Sequence, residues 1–385
     1  MRRKTSVAWT HELFLRTTAL WGILLMVKGR EVRMEKKTTN RGRIAGAPVS
    51  AWRRLYDVAD HIRALDPWPW MTLGHVFGVQ PHGSAGPGFV LFSKQGDPAR
   101  CAVSIYPGWA AFRDAIMSHA HPDGRAPLER TIEESWMRLM FLPQSGLSRG
   151  DRAVLVRLGC DLTEADEFPA FCSQKVGYFP DRLGPAEVVW LSAVLYQAYG
   201  MAMRVEATPD LTQERLPRTF FVRTQDAAGD WHDSWMDEPV ARTDVDVSID
   251  LDRVRRIRRH PADATVLQAD LVLSPLKMKS AEDHRSEAVF TLLLVNGDTR
   301  MIIRCDALQA TEGIESMWAQ VPGAVLKGME QLDALPAAIE VRSERMLNVL
   351  RPLTELLPFK LTRRNKLDAL AVAQDSMNEL LRIKT

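Results

Sequence analysis

The stretch Asp66-Pro67-Trp68-Pro69-Trp70-Met71 decides the fold of the first half of this chain. Before it, apolar residues recur at helical spacing, at Trp52, Leu55, Tyr56, Ala59 and Ile62. This period predicts an amphipathic helix with Ser50 as its N-cap. Pro67 and Pro69 end that helix, because the residue before a proline is disfavoured in the α conformation, and they hold the two tryptophans in an extended segment.

A meander of short strands is predicted after the tryptophans, at residues 75–80, 88–94 and 99–106. Turns rich in Gly and Pro separate the strands, so antiparallel pairing of neighbours is expected. Further elements are predicted at residues 107–118 (helix), 135–141 (strand), 148–158 (helix) and 187–201 (helix). The last helix is apolar nearly all round, so most of its faces must be covered. These elements form a predicted α+β domain at residues 50–205.

The second half shows a different order of elements. Residues 206–262 are predicted to be a connector that contains a hairpin and a short basic helix. The C-terminal α/β domain at residues 263–385 then has strands at 265–273, 288–296 and 300–306, a helix at 311–331, a strand at 337–342, a helix at 344–357, a strand at 359–363 and a helix at 366–383. The order β-β-β-α-β-α-β-α resembles that of ribonuclease-H-like folds. The predicted fold is therefore α+β in two domains.

The composition is that of an ordinary globular protein and indicates a cytoplasmic location. The net charge of +2 creates no global field that would attract nucleic acid or an anionic membrane. The four cysteines are Cys101, Cys160, Cys172 and Cys305, and no C-x-x-C pair occurs. Scattered cysteines of this kind are typical of reduced thiols rather than of a disulfide framework.

The first 49 residues are predicted to be a tail that is disordered or not native. Their apolar run at 19–27 has about half of the ~20 residues needed to span a bilayer. Three interpretations remain open: a marginal signal peptide, an amphipathic interfacial segment, and a translated upstream stretch with the true start at Met34. We favour the last, since basic residues rather than a cleavage site follow the run. No other segment has the length to span a membrane.

Several local motifs together resemble an uncharacterised bacterial family that pairs two domains of unknown function. The motifs of the first half are Trp52-x-x-Leu55-Tyr56, Pro67-Trp68-Pro69-Trp70-Met71, Phe77-Gly78-Val79 and Gly177-Tyr178-Phe179-Pro180. Those of the second half are Leu292-Leu293-Leu294-Val295, Leu335-Pro336-Ala337-Ala338-Ile339-Glu340-Val341 and Leu367-Asp368-Ala369-Leu370. The resemblance covers roughly residues 50–380. It departs from the family at Leu273-Ser274-Pro275-Leu276-Lys277, where an Arg-Pro-aromatic-Pro segment is usual, and at Asn296, where Asp is usual.

The ribonuclease-H-like order implies a place for metal-binding carboxylates. Nucleases with such folds carry them on the first strand, the fourth strand and the last helix, which here correspond to Asp270, Glu340 and Asp368. Asn296 lies where a shifted register would need an acid. Two-metal catalysis requires these oxygens to cluster around the ions. The alternative is that they are ordinary surface carboxylates, since fold similarity alone carries little functional information.

Three further groups of residues have a functional and a structural interpretation. His119-x-His121-x-Asp123 has metal ligands but lies in a polar loop without a partner motif. The basic run of Arg253, Arg255, Arg256, Arg258 and Arg259 can bind phosphates, or can be a solvated helix face neutralised by nearby acids. The aromatic set of Trp52, Tyr56, Trp68, Trp70 and Phe77 can line a ligand groove or form a small core. In each case we favour the structural interpretation.

Two functions from different classes follow. The first is a non-enzymatic cytoplasmic protein that binds a protein partner or small ligand and needs no cofactor or metal. In agreement with this, the Gly-rich loop at 81–88 lacks the spacing of known nucleotide-binding motifs. The second is a metal-dependent nuclease, or a degenerate relative of one, that acts on nucleic acid. Clustering of Asp270, Glu340 and Asp368 would favour the second. Their dispersal, with Trp68 and Trp70 exposed in an apolar patch, would favour the first.

Overall fold

A computed structural model describes residues 47–383 except 96–99, 121–126, 164, 214–217, 240–244, 246, 280–284, 311–312 and 333. The chain divides into two compact units. The first contains the chain up to Ala120, Glu134–Gln174 and Pro180–Ala241. The second contains Arg242–Thr385 together with His121–Glu133 and Lys175–Phe179. In the described part of the chain no helix is both long enough and apolar enough to cross a membrane.

A mixed sheet forms the centre of the first unit. Its strands are Phe77–Gln80 (β1), Gly88–Gln95 (β2), Arg100–Pro107 (β3), Trp136–Leu142 (β4), Phe168–Gln174 (β5), Thr219–Gln225 (β6) and Trp231–Asp237 (β7). They lie in the order β5-β4-β3-β2-β1-β6-β7. The predicted antiparallel meander is confirmed for β1, β2 and β3. The pair β1–β6 is parallel, so the sheet is mixed.

Helices cover both faces of this sheet. They are Val49–Leu65 (α1), Gly108–Ala120 (α2), Arg149–Leu158 (α4) and Pro185–Ala207 (α5); Pro127–Glu133 (α3) belongs to the second unit. Alternate residues of β2 point to opposite faces, as the period of two requires. Val90 and Phe92 pack in the core that α1 and α5 share. Phe89 and Leu91 pack in a second core with Phe112 of α2.

Three details of the first unit differ from the prediction. The strand β5 was not predicted, because Pro169 interrupts its pattern; as an edge strand, β5 tolerates a residue without an N–H. The predicted hairpin exists as β6 and β7, but it completes the sheet instead of lying in a connector. The first helix starts at Val49 with Pro48 as its N-cap, so Ser50 is not the capping residue. In contrast, Ser148 forms the capping box of α4 with Asp151.

The second unit has a five-stranded sheet between two layers of helices. Its elements are Leu251–Ile257 (α6), Val266–Lys279 (β8), Ser286–Asn296 (β9), Ile302–Gln309 (β10), Ile314–Ala319 (α7), Val321–Gln331 (α8), Ala338–Val341 (β11), Glu344–Leu356 (α9), Lys360–Arg363 (β12) and Asp368–Ile383 (α10). The strand order is β10-β9-β8-β11-β12, with β8–β11 and β11–β12 parallel and the others antiparallel. The predicted element order is confirmed, except that the helix at 311–331 is divided into α7 and α8.

The two faces of this second sheet are packed by different helices. Leu267, Ala269 and Leu271 of β8 lie in the core that α8 and α9 cover. On the opposite face, Val272 packs with Leu370 of α10. The helix α3 and the segment 175–179 add to the first of these cores through Ile132 and Phe179. The α+β fold class in two domains is therefore as predicted, with mixed sheets in both units.

Candidate functional site

An ion-pair network lies where β8 and β11 run side by side. Asp270 of β8 is 1% exposed. The parallel register pairs Val341 with Ala269, so Arg342 and Asp270 come next on adjacent strands. Arg342 Nε lies 2.7 Å from Asp270 Oδ2, and Arg342 Nη2 lies 3.4 Å from Glu129 Oε2. The N–H of Nε is not aligned as a hydrogen bond, so the contact with Asp270 is an ion pair.

Backbone N–H groups complete the environment of the two acids. The N–H of Leu271 donates to Asp270 Oδ1 at 3.0 Å, and the N–H of Leu273 donates to Glu129 Oε1 at 3.1 Å. Glu129 comes from α3, a helix that was not predicted, and it is 5% exposed. One guanidinium group thus lies between two buried carboxylates, where it compensates their charge.

The second predicted carboxylate, Glu340, has its own cation. Arg364 Nε donates to Glu340 Oε1 at 2.8 Å, and Gln268 Nε2 donates to Glu340 Oε2 at 3.2 Å. The Gln268 side-chain oxygen accepts the backbone N–H of Leu370 at 3.0 Å, which ties the start of α10 to β8. Glu340 therefore takes part in the joint between the sheet and the last helix.

The third predicted carboxylate faces solvent. Asp368 is the first residue of α10, its side chain is 77% exposed, and it pairs with Lys366 Nζ at 2.7 Å. Asn296 ends β9, and its side-chain oxygen accepts the N–H groups of Asp298 and Thr299 at 3.0 and 2.9 Å. This asparagine closes a turn, which is a common structural role for the residue.

The structure thus gives Asp270, Glu340 and Asp368 three separate cationic partners. Throughout the described residues no group of three or more His, Cys, Asp and Glu side chains is placed to hold a metal ion. Sequence reasoning did not identify Arg342 or Glu129. The available signal was the position of Arg342 two residues after Glu340, on the same face of a predicted strand.

The basic run overlaps helix α6, and the three arginines within the helix are paired with acids of the chain. Arg253 Nε and Arg256 Nε donate to the two oxygens of Glu330 at 2.8 and 2.6 Å. These hydrogen bonds lower the pKa of Glu330. Arg255 pairs with Asp252 at 2.7 Å. The pairing was expected, but the main acid is Glu330 of α8, whereas we had expected nearby acids before the run.

The two tryptophans of the opening stretch serve the core of the first unit. Trp68 is 7% exposed and packs edge-on against Phe92 and Phe141. Its indole N–H donates to the carbonyl oxygen of Ala102 at 3.4 Å, and that of Trp70 donates to the carbonyl oxygen of Ala202 at 3.0 Å. Both indole N–H groups are therefore hydrogen-bonded to the backbone. This arrangement does not support the hypothesis of a ligand groove along Trp68 and Trp70.

Two further candidates remain, a small cavity and the predicted metal triad. A cavity of about 30 Å³ between α1 and α4 is lined by Trp52, Tyr56 and Asp151 among others, and it has room for roughly one or two water molecules. Of the predicted metal triad, His121 and Asp123 lie outside the described residues. The same holds for the side chain of His119.

Comparisons with known families agree with the two-unit division. Residues 52–223 match a family model described as a domain of unknown function, DUF7309. Residues 253–378 match a second one, DUF6930. The chain therefore contains two domains of unknown function, one in its N-terminal part and one in its C-terminal part. The Arg342 network lies in the unit that contains the DUF6930 match, although Glu129 falls within the sequence matched by DUF7309.

No significant match was found among curated proteins or among solved structures. The resemblance of the DUF6930 domain to ribonuclease-H-like folds therefore stays a prediction, as does the bacterial origin of the family. Neither domain description names a substrate or an activity, so the function is unknown.

Proposed function

We propose that the protein is a non-enzymatic cytoplasmic interaction protein, and that its DUF6930 domain acts as a scaffold. The observation that carries the proposal is the position of the Arg342 guanidinium between Asp270 and Glu129. A divalent cation at Asp270 would have to displace an ion pair that is shielded from water. Such a pair is held strongly, because separating it removes the attraction between the guanidinium and a carboxylate that is buried.

The other two carboxylates support the same proposal. Glu340 is engaged with Arg364 and Gln268, and Asp368 points into solvent with Lys366. Each carboxylate is satisfied by the protein itself, and two-metal chemistry needs several acids that converge on shared ions. The three positions act as local structural links rather than as one cluster.

The competing candidate is the metal-dependent nuclease or a degenerate relative. Its support is the order of elements along the chain, which led to the ribonuclease-H-like prediction, together with the position of Asp270 on β8, the central strand of the sheet. For this function Arg342 would have to leave Asp270 when metal and substrate bind. The two candidates therefore make opposite predictions about Asp270.

The test measures hydrolysis of single- and double-stranded DNA and RNA by the full chain with Mg²⁺ or Mn²⁺, together with Mn²⁺ binding by calorimetry. We expect neither hydrolysis nor stoichiometric Mn²⁺ binding. The matched variants are Asp270→Asn and Asp368→Asn, of which the second alters an exposed residue. Hydrolysis that Asp270→Asn abolishes while the variant stays folded would overturn the proposal.

A further inference from the structure

Within the described part of the chain, one apolar face of the helix α5 is left exposed. Val189, Tyr196 and Met203 are 53%, 63% and 41% exposed, and they lie seven residues apart. Residues 188–203 contain no charged side chain. A helix on the surface of a globular domain normally turns charged or polar residues to water. We call this face, with the small residues described next, the α5 seam.

Small residues fill the positions between the large ones. They are Ala186, Ala193, Gly200 and Ala207, again seven residues apart. Large and small residues thus alternate at spacings of three and four, which is the a/d pattern of helices that pack along a seam. A period of seven sustained over the whole of α5 is the pattern of helix pairing, whereas a solvated face needs no such period.

Packing within the described part of one chain does not explain why residue 200 is a glycine. A Cβ atom built on Gly200 has no neighbouring atom within 4 Å. Packing within the described chain therefore does not require glycine, which is a poor residue for the middle of a helix. Glycine at such a position allows another backbone to approach closely.

The opposite face of α5 is held firmly in the first unit. Leu191, Val194 and Leu195 are fully buried. The indole N–H of Trp190 donates to Ser84 Oγ at 3.0 Å, and Arg223 Nε donates to Gln197 Oε1 at 2.6 Å. The helix therefore cannot turn its exposed face inward without breaking this core. The α5 seam is a fixed surface.

We propose that the α5 seam binds the same seam of a second copy of this chain, with the two helices antiparallel. This inference rests on the proposed interaction role and names the partner for it. The alternation of large and small residues is self-complementary, because in a two-fold antiparallel pair the large residues of each helix meet the small residues of the other. The crossing angle expected for such a seam is about +20°.

Charge at the two ends of α5 favours the antiparallel direction. Glu206 is exposed in the last turn, and Arg182 is exposed just before the helix begins. Antiparallel pairing brings Glu206 of each copy toward Arg182 of the other, and these exposed charges have opposite signs. Parallel pairing would instead bring the two Glu206 carboxylates together.

The size of the seam predicts a weak dimer. A helix of 23 residues is about 34 Å long and roughly 10 Å wide, so its footprint is roughly 340 Å² in each copy. Standard interfaces bury about 800 Å² in each partner. We therefore expect a reversible dimer of micromolar or weaker affinity, which forms as the protein concentration rises.

The test is sedimentation velocity of the full chain over a wide concentration range. We expect a monomer–dimer equilibrium. Tyr196→Glu places a charge at the centre of the α5 seam and should raise the dissociation constant at least tenfold. Gly200→Leu should do the same by holding the helices apart. The control is Val156→Glu on α4, since Val156 is also 63% exposed but lies on another helix; it should leave the equilibrium unchanged.

Orientation is tested by oxidative cross-linking. Mixing the Val189→Cys and Met203→Cys variants should give a cross-linked heterodimer, and Val189→Cys alone should give none above the level of the parent chain. A dimer that Tyr196→Glu leaves intact, or a chain that is monomeric at all concentrations, would overturn the inference. So would dimerisation that appears after residues 1–46 are removed, because that segment would then be the occupant. None of these outcomes depends on the nuclease assay, so the two proposals fail separately.

Discussion

At the scale of single residues, Arg342 pairs with two buried carboxylates of the second unit. Its guanidinium compensates Asp270 and Glu129, whose side chains are 1% and 6% exposed. We predict that Arg342→Met lowers the free energy of unfolding by about 3 kcal/mol, because two buried carboxylates lose their ion pairs with the guanidinium. Chemical denaturation of the full chain, followed by a probe in the second unit, measures the change.

The control for this prediction is Arg363→Met. Arg363 pairs with Glu344 at 2.9 Å, but both side chains are about half exposed. An exposed pair of this kind contributes less than about 1 kcal/mol. If Arg342→Met cost no more than Arg363→Met, the network would not be the compensating element that the proposed function requires.

A second residue-scale prediction concerns alkaline pH. Burial raises the pKa of Tyr106 to about 12 from its usual value of 10, although the nearby Arg138 lowers it. The folded state therefore holds the phenol proton more tightly than the unfolded state. Its contribution is complete below pH 10 and is lost as the pH rises through 12.

We therefore expect the free energy of unfolding to fall by about 2–3 kcal/mol more in the parent chain than in Tyr106→Phe over this pH range, at 1.36 kcal/mol for each pKa unit. Denaturant titrations at pH values from neutral to 12 test this difference. If the free energy of unfolding fell equally with pH in the two proteins, Tyr106 would ionise as readily in the folded state as in the unfolded state.

At the scale of secondary-structure elements, the seating of α5 on the sheet depends on a close approach at Gly88. A Cβ atom at this position would lie 2.5 Å from Trp190 Cη2 and 3.0 Å from Ile105 Cγ2. The ring of Trp190 is held by its hydrogen bond to Ser84. We predict that Gly88→Ala destabilises the first unit by about 1–3 kcal/mol through overpacking.

Gly200→Ala is the matched change on the free side of the same helix. Because nothing surrounds its Cβ position, alanine should stabilise the monomer by up to about 1 kcal/mol. Thermal unfolding of both variants at low protein concentration compares the two glycines. If both variants shifted the unfolding temperature in the same direction, the assignment of Gly88 to the core and Gly200 to the α5 seam would be contradicted.

At the scale of the whole molecule, the second unit is assembled from three stretches of chain. Ile132 is fully buried and Phe179 is 8% exposed, and both lie in the core of that unit. The backbone also links these stretches, since the N–H of Phe179 donates to the oxygen of Ser286 at 2.8 Å and that of Gly177 to the oxygen of Ile132 at 2.8 Å.

We predict that a fragment of residues 242–385 does not fold as a cooperative unit, because the core then lacks Ile132 and Phe179 and the network lacks Glu129. Near-ultraviolet circular dichroism and binding of an apolar dye report on the packing of the fragment. The full chain is the reference. A fragment with the cooperative unfolding of the full chain would mean that the inserted segments are dispensable.

The local elements could be read from the sequence because they depend on short-range patterns. The helical period from Trp52 to Ile62 and the apolar run from Leu292 to Val295 each specify one element. The order of elements in the second unit followed in the same way. The α10 helix and the capping box at Ser148 needed no information from distant residues. The prediction of an extended segment at the tryptophans was wrong: residues 68–70 form a turn, in which the N–H groups of Trp70 and Met71 donate to the carbonyl oxygen of Pro67.

The tertiary structure alone decided which distant segments meet. Parallel pairing of β6 with β1, insertion of α3 into the second unit, and the approach of Arg342 and Glu129 to Asp270 join residues far apart in the chain. No local period encodes such pairings, because they depend on how complete elements pack. The sequence showed α5 to be apolar nearly all round. That one face stays uncovered was decided by which of its sides the sheet and α1 bury.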